Sequence, residues 1–241
     1  MNALPSLRAS FLWVSLFAIS MGFLESAVVV YLRQLYYPEG FDFPLNLIHE
    51  SVAITEFLRE IATILMLVSV GWIVGRNGAQ RFAWFLYSFA IWDIFYYVFL
   101  YLLLGWPQSL ATWDVLFLVP IMWVGPVWGP VFVALLMILL SSLMLHIDSK
   151  GERSWPDSKG WTLLISGSFL VILSWVWEYG AFLLAQYPDQ GWTVFLCSPC
   201  QQEAGGQFVP QRIYSEIYLP GILLILGGIV RLYLGRKTGP K

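Results

Sequence analysis

Six apolar stretches recur along this chain, each close to the roughly 20 residues that a helix needs to cross a hydrocarbon core. They cover residues 9–31, 52–74, 82–104, 127–145, 161–184 and 214–234. The polar segments between them are short and leave no room for a soluble domain. The pattern predicts an all-α integral membrane protein, a six-transmembrane helical bundle that forms a single domain over 1–241. The first stretch is a full span with no small-residue cleavage site after it, so it reads as a retained helix and not a signal peptide.

One region breaks the pattern. Residues 107–146 as a single helix would be about 60 Å long, roughly twice the hydrocarbon thickness. Pro120, Gly125-Pro126 and Gly129-Pro130 would interrupt such a helix. A seventh span over 109–123 would move Lys150, Arg153 and Lys159 to the outer side. The expectation is therefore a broken or re-entrant outer segment at about 107–130, a short helix or irregular piece packed into the bundle. Irregular backbone at that depth needs burial in protein or a water-lined cavity.

Composition agrees with a membrane setting. The chain is 59% hydrophobic and 12% charged, with mean hydropathy +0.70, whereas soluble domains are about 25% charged. A net charge of −2 without a basic cluster argues against a nucleic-acid partner. Cations set the orientation. With a cytoplasmic N-terminus, Arg8, Arg76, Arg81, Lys150, Arg153, Lys159, Arg231, Arg236, Lys237 and Lys241 lie inside, ten of thirteen. Arg33, Arg59 and Arg212 remain outside. Both termini are then expected to be cytoplasmic.

The in-span charges carry the functional signal. Glu25, Glu56, Arg59, Glu60, Asp93, Asp114, Glu178, Arg212 and Glu216 all map to the outer half. Charges at membrane depth are costly and usually face a protein interior or a water-filled cavity. Glu56 and Glu60 share a helix face, with Arg59 beside them. Seven acids against two arginines cannot all be ionised without further cations. Either some stay protonated or a pocket holds a cation. The plainer alternatives are structural pairing with arginine, tyrosine and tryptophan, or simple interfacial placement.

Other chemistries find little support. Di-iron carboxylate bundles supply Glu-x-x-His pairs, and only His49, followed by Glu50, is available on the outer side as a weak metal candidate. Calcium or magnesium would accept an all-oxygen site. His49 and His146 fall on opposite sides, which disfavours a bis-histidine haem. No lysine lies within a span to form a Schiff base, and no Ser-His-Asp set or phosphate loop is readable. No cofactor is expected.

Cys197-Ser-Pro-Cys200 is the one cysteine pair. On an oxidising side it is expected to form a loop-stapling disulfide; a redox dithiol or a share in a metal site are the alternatives. Trp106, Trp113, Trp123 and Trp128 crowd the broken segment, where an interfacial belt is the simpler reading and a cavity for a lipid, quinone or isoprenoid the sharper one. Leu24-Glu25, Trp92-Asp93 and Trp177-Glu178 are each followed by an aromatic-proline pair. This hints at three hairpin repeats over 1–76, 77–153 and 160–236, although such pairs are common at membrane surfaces.

The stretches AIWDIFYYVFLYLLLGWPQSLATWDVLFLVPIMWVGP and ESAVVVYLRQLYYPEGF resemble a group of uncharacterised bacterial polytopic inner-membrane proteins. The resemblance is strongest over about 20–130 and implies a bacterial inner-membrane setting, with no activity attached. The sequence thus leads to an outward-facing acidic intramembrane pocket for a cation, a polar small ligand or a lipid headgroup. Two rivals stand beside it. One is a membrane-embedded enzyme acting on a lipid or isoprenoid, with an acid as its general acid-base group. The other is a non-catalytic subunit or assembly factor with a membrane-protein partner. The apolar inner half of the spans weighs against transport.

Overall fold

A computed structural model describes residues 6–235. Arg236, Lys237 and Lys241, which entered the charge count, and the N-terminal end lie outside the described residues. Six long apolar helices are present: α1 (Leu7–Tyr36), α2 (Glu50–Val74), α3 (Gly78–Leu104), α4 (Trp128–Ser149), α5 (Ser158–Gln186) and α7 (Ser215–Gly235). A short helix, α6 (Ser198–Gly205), lies between α5 and α7. Each of the six is long and apolar enough to cross a bilayer, so the chain is a multi-pass helical membrane bundle in a lipid environment.

The starts of several helices follow from short polar caps. Ser6, Asn77 and Asp157 each accept a hydrogen bond from the backbone N–H three residues on, satisfying one of the orphan donors of the first turn. At the far end of α3, Gly105 turns the chain out in the left-handed region, φ 65°. The structure extends α1 five residues beyond the expected end, since Leu32 to Tyr36 remain helical.

The broken segment contains no helix before α4 begins at Trp128. It forms an antiparallel hairpin of β1 (Trp113–Phe117) and β2 (Trp123–Pro126), with Asp114 opposite Gly125 and an irregularity between Val115 and Phe117. The prolines and glycines that bar a helix leave extended β-branched and aromatic residues, which suit a paired strand. Pairing also satisfies backbone groups that the interior would otherwise strand. Several tryptophans of this region make specific ring contacts. Trp123 stacks on Trp175, Trp128 meets Tyr218 edge-on, and Trp106 lies beneath Arg33.

Between lipid-embedded helices, close van der Waals packing replaces the hydrophobic drive. α5 and α7 cross where Gly167 and Gly221 face each other. A Cβ on Gly167 would lie 2.6 Å from the Gly221 carbonyl, and one on Gly221 would lie 2.8 Å from the Gly167 carbonyl. α1 nests against α3 at Gly22, whose absent side chain admits the backbone of Trp92 and Tyr96. There Ser26 Oγ donates to both the Gly22 and Tyr96 carbonyls.

At the end of the bundle away from the hairpin, Asp148 accepts hydrogen bonds from Asn77, Gln80 and Ser154, tying α4 to the start of α3. Asp157 pairs with Arg231 across α5 and α7. That guanidinium holds the Asp157 carboxyl down at about 2.

Candidate functional site

A cavity of about 190 Å³ lies among α1, α2, α3 and β1. Helical spacing builds its walls. Glu25, Val29, Leu32, Arg33 and Tyr36 line it from α1; Glu56, Arg59, Glu60 and Thr63 line it from α2. Both sets follow the i, i+3/i+4, i+7 rhythm of one helix face. α3 contributes Trp92, Asp93, Tyr96 and Tyr97, and the hairpin closes one side with Asp114 through Leu118. Glu25, Glu60 and Asp93 each sit ten or eleven residues from the hairpin-side end of their helix. At 1.5 Å per residue that places all three about 15–16 Å in, at one level.

The polar contacts are unevenly distributed. Arg59 bridges α1 and α2, pairing with Glu25 and, at 2.8 Å, with Glu56. Thr63 Oγ1 donates to Glu25 at 3.2 Å. Glu60 accepts from the Leu118 N–H at 3.1 Å, which fastens α2 to the hairpin. Arg33, only 8% exposed, lies 3.5 Å from Asp114, with its guanidinium carbon 3.6 Å from the Trp106 ring centre and 4.3 Å from that of Phe41. Asp114, on the hairpin between the spans, is 2% exposed. Burial pushes its carboxyl up to about 6, against the opposing pull of Arg33.

Three enclosed polar atoms on this wall have neither a hydrogen-bond nor an ion-pair partner: Asp93 Oδ2, Arg33 Nη1 and Trp92 Nε1. Asp114 is partnered by Arg33 and by the Tyr97 side chain. Buried polar atoms are nearly always satisfied, so one acceptor and two donors left over around one cavity mark a place for a polar guest.

The structure brings together six of the nine in-span charges named from sequence: Glu25, Glu56, Arg59, Glu60, Asp93 and Asp114. It does not bring in the other three. Glu178, on α5, accepts from the Gln211 N–H at 2.9 Å. Arg212 and Glu216 pair with each other on an exposed turn. His49 and Glu50 are exposed at the start of α2, where His49 serves as its N-cap and contacts Ser51. Among the described residues no group of three His, Cys, Asp or Glu side chains is arranged to hold a metal ion.

Sequence reasoning missed Arg33, Thr63, Tyr96 and Tyr97. The signal for Arg33 was present, since eight residues after Glu25 it is turned by only about 80°, within one broad helix stripe.

Beside the cavity, the 37–49 loop and α6 form a cap. The Leu45 N–H bonds the Gly205 carbonyl, and Tyr179 of α5 donates to the Gln201 carbonyl at 2.6 Å. Cys197 and Cys200 form a disulfide at the start of α6. Unreduced protein, denatured and treated with a thiol reagent, should show no labelling; two labelled cysteines would mean that the bridge is absent from the isolated protein.

No family model, curated protein or solved structure matches this chain.

Proposed function

We propose that this protein is a binding module of the bacterial inner membrane, whose acidic cavity takes the positively charged group of a small polar ligand or headgroup from the periplasmic side. One observation carries the reading. Five carboxylates and two guanidiniums line a single cavity, and the Asp93 Oδ2 oxygen is enclosed there without a partner. A scaffold would need only enough acids to match its arginines. The surplus favours a cationic guest, because unpaired ionised carboxylates are expensive away from bulk water.

The periplasmic orientation rests on the cation count, and the inner-membrane setting on the resemblance stated above. A reporter fused after Lys150 should read cytoplasmic, and a periplasmic signal there would reverse the membrane sides.

The test is thermal unfolding of purified protein against calcium, magnesium and small amines such as ethanolamine. A guest that binds only the folded state raises the melting temperature in proportion to its occupancy. Asp93→Asn removes the charge with little change of volume and should abolish that rise while leaving the ligand-free melting temperature near that of wild type. The reading is overturned if no cation shifts the wild type, or if Asp93→Asn responds fully. Protonation of Asp114 competes with a cation, so the shift should also shrink as pH falls through about 6.

A further inference from the structure

The cavity has an apolar neighbour. A cleft of about 400 Å³ opens between the first turns of α2 and the cap and shares Tyr37, Leu45, Ile48 and Leu118 with the cavity as a common wall. Its other surfaces include Leu47, Ile54 and Phe57, which are 70%, 51% and 41% exposed. A charged chamber and a greasy slot thus meet at one boundary on the flank of α2.

The unpartnered atoms narrow the class of guest. A bare cation would suit the carboxylates of Glu60, Asp93 and Asp114 but would bring no acceptor to Arg33 on the same cavity wall. A zwitterion serves both sets. Arg33 is already oriented by the rings of Trp106 and Phe41, and a guanidinium fixed in this way suits a phosphate. The carboxylates suit an ammonium. A free zwitterion would need no slot, whereas a lipid would fill both spaces.

We propose that the cavity and cleft together hold one zwitterionic phospholipid, its ammonium among Glu60, Asp93 and Asp114, its phosphate at Arg33, and one acyl chain in the cleft. This rests on the cavity reading above and names its ligand.

The experiment compares phosphatidylethanolamine, phosphatidylglycerol and water-soluble ethanolamine on delipidated protein, by thermal unfolding and by native mass spectrometry. Phosphatidylethanolamine should bind and stabilise, and phosphatidylglycerol, which lacks the ammonium, should not. Ala53→Phe places a ring in the cleft and should weaken the phospholipid by about tenfold or more while leaving the ethanolamine response intact. Asp93→Asn should weaken both. If Ala53→Phe does not fold, the wild type's choice between the two lipids decides. Equal binding of both lipids, or an unchanged lipid response in Ala53→Phe, overturns the lipid assignment. The cavity reading then stands as long as ethanolamine still stabilises the wild type and not Asp93→Asn. If neither lipid nor amine binds, both fall.

Discussion

Arg59→Met should cost about 3 kcal/mol of stability, because breaking a buried pair strands the charges left behind. Arg59 is the shared partner of Glu25 and Glu56, and the three side chains are 21%, 11% and 9% exposed. Methionine fills much the same space but offers no donor. The value sits at the lower end of the range for buried pairs, since water in the adjoining cavity can reach part of the cluster. The discriminating comparison is the triple variant Arg59→Met, Glu25→Gln, Glu56→Gln, which removes the orphaned charges as well. It should recover most of the loss in a detergent-solubilised unfolding titration. If the single variant unfolds with the wild type, the pair is solvated and does not hold α1 to α2.

Gly167→Ala should cost about 2 kcal/mol and Gly167→Val more, as expected when atoms are forced into a filled interface. The new carbon would meet the Gly221 carbonyl at 2.6 Å and the Ile225 N–H nitrogen at 2.9 Å, both backbone atoms that move only if the helices part. Gly227→Ala is the internal control. Its Cβ would meet only Leu163 Cδ1, at 3.8 Å, within ordinary contact. That variant should stay within about 0.5 kcal/mol of wild type. Helix propensity favours alanine over glycine at both positions, so equal losses would show that the close approach of Gly167 to Gly221 is not what sets the cost.

The spans were legible because hydropathy reports length directly, and length decides what can cross a bilayer. Ends were less legible: Arg33 looked like a surface cation only because α1 was expected to stop near Tyr31. Depth can be read from a sequence, whereas the direction a residue faces around the bundle cannot. Glu25, Asp93 and Glu178 were all placed in the outer half. Two of them face one cavity, and the third lies on α5 with Gln211 for a partner. Which helices are neighbours is a property of the assembled bundle. The 107–130 segment shows a similar boundary. Its prolines and glycines excluded a long helix, but five extended residues between breakers look alike as loop or strand until a partner strand is found.

The hairpin has a consequence for synthesis of the chain in the membrane. Arg59, Glu25 and Glu56 are all present once α2 has followed α1, so that cluster neutralises itself early. Arg33 and Glu60 cannot do so. Their partners, the Asp114 carboxylate and the Leu118 N–H, are translated only after α3. β1 in turn gains its ladder only when β2 arrives, ahead of α4. A chain halted between residues 105 and 126 therefore carries polar groups at membrane depth that its own length cannot yet satisfy. Release into lipid is favourable only after the pair of strands has closed. Helices α1 and α2 accordingly complete their polar contacts only when the chain has been made through β2, before α4 is needed.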